Sequence, residues 1–64
     1  MSFYVKRDRD GRLGWVGPIR SEVQAAKEAT AWQQAGWFAE ALPSSPFVRA
    51  EVRAWEKAKR EVSS

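Results

Sequence analysis

The chain has 64 residues, which makes one domain near the lower size limit for folding without disulfides, metal or a partner subunit. Cysteine and histidine are both absent, so disulfides, thiolate chemistry and the common zinc sites are excluded. The formal net charge of +3 is compatible with nucleic acid but does not identify a partner. Four tryptophans are available to enlarge so small a core, and we expect at least two of them to be buried.

The chain begins with a predicted β-hairpin, whose strands cover about residues 3–7 and 12–17. Strand-forming aromatic and β-branched residues flank the sequence Asp-Arg-Asp-Gly, which is typical of a turn. Gly11 is expected to supply the positive φ of that turn. Pro18 is expected to end the second strand, because proline cannot donate a hydrogen bond to the ladder.

The two faces of this hairpin follow from the period of two in a strand. Phe3 and Val5 lie on one face, and Tyr4 and Lys6 lie on the other. We expect the large apolar side chains of the second strand to join the face of Phe3 and Val5. These side chains are Leu13 and Trp15.

The first helix is predicted from about residue 22 to residue 35. Ser21 is its N-cap, with Gln24 three residues later in a capping-box arrangement, and Gly36 supplies a left-handed C-terminal cap. One helix face collects small residues and a single large anchor, which lets the backbone approach a sheet closely. These residues are Val23, Ala25, Ala26, Ala29 and Trp32.

A third strand is predicted at about 37–42 and a second helix at about 46–62. Ser45 caps this helix and Pro46 occupies its first position, where the missing N–H has no intrahelical partner to lose. The helix carries an apolar stripe of Val48, Val52, Trp55 and Val62, widened by Phe47, Ala54 and Ala58.

Together these elements predict a single α+β domain over 1–64 with the order β-β-α-β-α. We expect a three-stranded mixed sheet with both helices packed on one face. Because a strand–helix–strand connection within one sheet is almost always right-handed, the third strand should run parallel to the second. It lies either next to the second strand or with the first strand between them.

Cations on the second helix and around the hairpin predict a nucleic-acid-binding surface. On the helix, neighbouring cations repel, which a helix selected for stability alone would avoid. The alternatives are a solvated helix face and a charged strand edge that blocks aggregation. The predicted nucleic-acid-binding residues are Lys6, Arg7, Arg9, Arg12, Arg20, Arg49, Arg53, Lys57 and Arg60.

Aromatic residues predict a second surface, used for a protein partner or a homodimer. Tyr4 and Phe38 are expected on the open sheet face with Lys6, where unpaired bases would stack or a second copy would pack. The predicted interface residues are Tyr4, Trp15, Phe38 and Trp37.

Enzymatic activity is not expected, and neither is a cofactor or a bound metal. Without histidine or cysteine the usual general bases and nucleophiles are missing, and the serines at 44 and 45 are accounted for by helix capping. No apolar run approaches the roughly 18 residues of a membrane span, and the N-terminus does not read as a secretion signal. We therefore expect a cytoplasmic protein.

The stretch WVGPIRSEVQAAKEATAWQQAGWFAEAL resembles the second half of SPOR domains, in which a strand ending in a Gly-Pro step precedes an alanine-rich helix and an AGW strand. The leading strand–helix unit of that family is missing here. The resemblance implies a ferredoxin-like ββαβ arrangement. It is carried by Val16, Gly17, Pro18, Ala26, Ala35, Gly36, Trp37 and Ala39.

The overlapping stretch VKRDRDGRLGWVGPIRSEVQAAKEATAW resembles the arm-binding N-terminal domains of tyrosine recombinases, in which a basic hairpin leads into a capped helix. That resemblance implies DNA contacts by Lys6, Arg7, Arg9 and Arg12. The composition is also similar to that of small proteins of high-GC actinobacteria and their phages. Our leading hypothesis is a nucleic-acid-associated accessory or regulatory protein of phage or mobile-element type, and the alternative is a homodimeric module that modulates a protein partner.

Overall fold

The computed structural model describes residues 1–63, with side chains through residue 61, so the side chains of Val62 and Ser63 and the whole of Ser64 lie outside the described part. The predicted order β-β-α-β-α is confirmed. Both hairpin strands extend two residues beyond their predicted ends, and β3 begins and ends one residue later than predicted. The elements are β1 (Phe3–Arg9), β2 (Arg12–Ile19), α1 (Glu22–Gln34), β3 (Phe38–Pro43) and α2 (Pro46–Ser63).

The three strands form one sheet in the order β2-β1-β3. The central strand β1 pairs antiparallel with both neighbours. β2 and β3 therefore run parallel to each other with β1 between them, which is one of the two predicted arrangements. Both pairs of hydrogen-bonded strands are antiparallel, so the expectation of a mixed sheet is wrong.

A two-residue turn sets the register of the hairpin. Asp10 and Gly11 both have positive φ, 52° and 79°, as a type I′ turn requires, and Arg9 pairs with Arg12. Counting back along the strands pairs Lys6 with Trp15 and Val5 with Val16. The expectation that Leu13 and Trp15 share the face of Val5 is therefore wrong. A one-residue change in register moves every side chain of a strand to the opposite face.

This register also explains why the two helices lie on opposite faces of the sheet rather than on one face. Val5 and Ala39 form the first core with Ala25 and Ala29 of α1. On the other face, Trp15 forms a second core with Val48 and Val52 of α2, with Tyr4, Leu42 and Trp55 packed around it. Because Trp15 and Tyr4 point away from α1, the second apolar patch needs a cover of its own, and α2 supplies it.

The small residues of α1 bring the helix close to the sheet. Ala25 and Val5 are fully buried, and Ala29 and Ala39 are nearly so. Val23 and Ala26, which were expected on the same face, are exposed. Among the tryptophans, Trp15 is 7% exposed and the other three are half-buried.

Strand β2 does not end at Pro18, because a β-bulge carries it past the proline. The register slips between Phe3 and Val5, opposite Gly17 and Pro18. Gly17 has φ 140°, and a Cβ there would lie 2.9 Å from Tyr4 Cδ1. Proline is tolerated because β2 is an edge strand and the bulge removes it from the ladder.

Serine caps begin both helices as predicted. The Ser21 hydroxyl accepts a hydrogen bond from the Gln24 N–H at 3.3 Å. The Ser45 hydroxyl accepts one from the Val48 N–H at 3.2 Å. These bonds satisfy donors that the first helical turn leaves without partners.

Candidate functional site

The C-terminus of α1 is closed by a Schellman motif that fixes the position of Trp37. Gly36 has φ 92°, its N–H donates to the Gln33 carbonyl at 3.1 Å, and the Trp37 N–H donates to the Trp32 carbonyl at 2.9 Å. The apolar contact that accompanies this motif is the edge-to-face pair of Trp32 and Trp37, whose ring centroids are 5.5 Å apart. The left-handed cap predicted at Gly36 is confirmed.

Arg7 lies between these two rings. Its Cζ is 4.4 Å from the Trp32 centroid and 4.5 Å from the Trp37 centroid. Gly14 pairs with Arg7 across the hairpin, and a Cβ on Gly14 would lie 2.9 Å from that Cζ. We call Arg7, Gly14, Trp32 and Trp37 the Arg7 cage. Each Gly-Trp dipeptide places its glycine where this arrangement needs one, at the helix cap or beneath the guanidinium.

The cage gives Arg7 a role other than the phosphate contact expected from the sequence. Its Nε is buried and has no hydrogen-bond partner among the described residues, and the guanidinium stacks on aromatic faces instead. The guanidinium joins the hairpin to the end of α1 and the start of β3. Arg7 is therefore less accessible to a phosphate than Arg9 and Arg12, which are exposed.

Beside the cage lies an open cleft of about 410 Å³, which we call the hairpin-tip cleft. It is lined by Arg9, Asp10, Arg12 and Trp37. Arg9 and Arg12 face each other across the turn, on the same side of the sheet as α1. Asp10 forms an ion pair with Arg9 at 3.9 Å, whereas Arg12 has no ion pair with any described residue. Two guanidinium groups beside an indole ring make a site for a group that is both aromatic and anionic.

The largest group of predicted contact residues that the structure keeps together lies on α2, and we call it the α2 cation face. It consists of Arg49, Arg53, Lys57 and Arg60. All four side chains are exposed, and none forms an ion pair with another described residue. At about 100° per residue they lie roughly a third of a turn around the helix from Val48 and Val52, which face the sheet. Glu56, four residues before Arg60, is not within ion-pair distance of it.

The sequence analysis expected the hairpin cations and the α2 cation face to form one surface, but the structure separates them. Arg9 and Arg12 lie on the α1 side of the sheet, and α2 lies on the other side. Arg20 follows β2 at the opposite end from the hairpin turn, roughly 25 Å from Arg12 at about 3.3 Å per strand residue. Lys6 is on the α2 side, with its Nζ 5.8 Å from the Trp15 ring centroid.

The predicted aromatic interface is also divided. Trp15 is buried beneath α2, and the half-buried Tyr4 makes an edge-to-face contact with it, with ring centroids 6.3 Å apart. Trp37 lies on the α1 side, in the hairpin-tip cleft. Phe38 alone is strongly exposed, at 72%. Tyr4, Lys6 and Phe38 do share a sheet face as expected, but α2 covers the end that contains Tyr4.

The sequence analysis placed Phe47 and Leu13 on apolar faces, whereas both side chains are exposed, and it missed the composition of the cleft. Phe47 is 72% exposed on the flank of α2 away from the cation face, and Leu13 is 43% exposed beside Asp8. The cleft has a readable signal: in Arg-Asp-Gly-Arg, a two-residue turn places the flanking arginines opposite each other on one face. The contribution of Trp37 has no such signal, because it depends on where α1 ends relative to the sheet.

Comparison with protein-family models, curated proteins and solved structures finds no match to this chain. Among the described residues, no helix is both long enough and apolar enough to cross a membrane. In the same part of the chain, no three acidic side chains come together to form a metal site.

Proposed function

We propose that this protein binds nucleic acid through the α2 cation face. It acts as a cytoplasmic, non-enzymatic accessory or regulatory protein of phage or mobile-element type. The phosphate backbone is the target, because exposed lysine and arginine side chains supply sequence-independent affinity through counterion release. Sequence preference is not part of this proposal.

One observation carries the proposal: four cations share one face of α2, and no described acidic residue pairs with any of them. Like charges three or four positions apart destabilise a helix by about 0.2–0.5 kcal/mol per pair. The face includes three such pairs, so the free protein loses roughly 1 kcal/mol of helix stability. A bound polyanion removes this repulsion.

The dimensions of the face suit a nucleic-acid backbone. Arg49 and Arg60 are separated by about 16 Å along the helix axis, at 1.5 Å per residue. Over that length duplex DNA presents roughly nine phosphate charges, at one per about 1.7 Å. Residues 56–61 are exposed throughout, so this part of α2 is accessible from several directions.

The test is fluorescence anisotropy with labelled duplex DNA over a series of salt concentrations. If all four cations contact phosphates, the plot of log affinity against log salt has a slope near −3.6, at about −0.9 per contact. Replacing Arg49, Arg53, Lys57 and Arg60 together by glutamine should reduce that slope to near zero. Because these side chains are exposed, the variant should remain folded.

A matched control separates a defined surface from net charge. Replacing Arg9, Arg12, Arg20 and Lys27 by glutamine removes the same four charges from exposed positions outside α2. Duplex binding should then keep most of its affinity and salt slope. Equal losses in the two variants would refute a contact surface on α2, and so would the absence of duplex binding by the wild type at low salt.

Exposed apolar residues favour homodimerisation as a second candidate function. Leu13 and Phe38 pair with Asp8 from its two sides, on the part of the α2-side sheet face that the second core leaves uncovered. Light scattering would detect a mass of twice 7.3 kDa, and Phe38→Ser should restore the monomer. A wild-type mass of 7.3 kDa at high protein concentration would exclude this candidate.

A further inference from the structure

We infer that the hairpin-tip cleft binds an unpaired nucleotide of a single strand, with its base stacked on Trp37 and its phosphate held by Arg9 and Arg12. The inference rests on the proposed function for the class of ligand, but it uses a different surface. The cleft lies on the α1 side of the sheet, and the α2 cation face lies on the other side.

Trp37 is held in position before any ligand arrives. The Schellman motif fixes its backbone through the 2.9 Å hydrogen bond to Trp32, and the Trp32 ring and the Arg7 guanidinium hold its indole. A ring that is already fixed loses little conformational entropy when a base stacks on it. The indole is half-buried, so part of its surface remains open to the cleft.

The two arginines lie where the phosphate of a stacked nucleotide would reach. Phe38 pairs with Asp8, so Trp37, one residue earlier, lies beside Arg9, and Arg12 pairs with Arg9 from the other strand. The order across the sheet is therefore indole, guanidinium, guanidinium. Asp10 also lines the cleft, but its ion pair is with Arg9, and Arg12 forms no ion pair with a described residue, which leaves the planar fork of Arg12 available for phosphate.

The aromatic wall of the cleft favours an unpaired base over a duplex. The cleft has a volume of about 410 Å³. A base can stack on an indole only when one of its faces is free, as it is in a single strand. The cleft is also open to solvent, so the strand can continue beyond the bound nucleotide.

The test compares a labelled thymidine decamer with a decamer of the same length and charge that lacks bases. Base–aromatic stacking of one base corresponds to roughly a five- to 150-fold difference in affinity, so the base-containing strand should bind that much more tightly. In two-dimensional NMR of the protein, the indole N–H signal of Trp37 should shift with the thymidine strand and not with the abasic strand. Trp37→Phe assigns that signal.

Arg12→Gln tests the phosphate contact without disturbing the Arg7 cage, because the Arg12 side chain is exposed. It should reduce the single-strand salt slope by about 0.7, the value for one phosphate contact. Arg20→Gln removes the same charge at the far end of the sheet and serves as the matched control. It should leave the slope unchanged.

Three results would overturn the inference: equal affinity for the two strands, an unmoved Trp37 signal at saturation, or equal effects of Arg12→Gln and Arg20→Gln. Tighter binding of a phosphotyrosine peptide than of thymidine monophosphate would also overturn it, since that peptide too is aromatic and anionic.

The proposal for the α2 cation face and the inference for the hairpin-tip cleft can fail independently of each other. The variant that lacks the α2 cation face should lose duplex binding while keeping its preference for bases over the abasic strand.

Discussion

Replacing Arg7 by alanine should destabilise the fold far more than replacing a neighbouring exposed arginine. The guanidinium lies 4.4 Å and 4.5 Å from two indole centroids. Cation–π contacts contribute about 0.5–2 kcal/mol each, and a buried Nε without a hydrogen-bond partner offsets part of that gain. We expect a net loss of about 2 kcal/mol in the free energy of unfolding. For a domain of this size, that corresponds to a fall of roughly 8–16 °C in Tm.

The measurement is urea denaturation followed by far-ultraviolet circular dichroism, with Arg12→Ala as the control. The control should change the free energy of unfolding by no more than about 0.5 kcal/mol, as is usual for exposed positions. Gly14→Ala examines the cage from the opposite side, since its Cβ would lie 2.9 Å from the Arg7 Cζ. It should destabilise the wild type more than it destabilises Arg7→Ala. Equal stability of Arg7→Ala and Arg12→Ala would refute the reasoning.

Two further substitutions test the helix termini and the charge distribution. Gly36→Ala places a Cβ at φ 92° and should lower the free energy of unfolding, measured in thermal melts, by about 1–2 kcal/mol. If stability were unchanged, the Schellman motif would not hold this residue in a left-handed conformation. Arg53→Glu replaces two repulsive spacings, to Arg49 and Lys57, by two attractive ones. It should raise the free energy of unfolding by up to about 1 kcal/mol and weaken duplex binding. A lower free energy of unfolding, or unchanged duplex binding, would contradict the explanation given for the α2 cation face.

The local elements were predictable because their signals are short in range. The Asp-Gly turn, the serine caps at 21 and 45 and the glycine cap at 36 each depend on residues within about four positions. All of them appear in the structure where the sequence placed them. Their accuracy extends to the ends of the helices, within a residue or so.

The tertiary arrangement was not predictable from the same signals, because it depends on the exact number of residues in the hairpin turn. Whether the turn has two or three residues decides whether Trp15 faces Val5 or Tyr4. That face in turn decides which side of the sheet α2 covers. The sequence also shows Arg7 as one of several hairpin cations, and nothing local in it indicates that Trp32 and Trp37 converge on that residue. The composition of the candidate site follows from these long-range contacts.

The narrow attachment of α2 has a consequence for local stability. Val48 and Val52 are its buried contacts with the sheet, supplemented by the half-buried Trp55, and residues 56–61 are exposed. The amides of those last turns should therefore exchange with solvent through local fraying, whereas the amide of Val5 should exchange only when the whole domain opens. A polyanion bound along α2 would slow exchange in these turns and leave the rate at Val5 set by global unfolding. Ligand binding should therefore be detected mainly as slower amide exchange in the last turns of α2, which are the least protected part of the backbone.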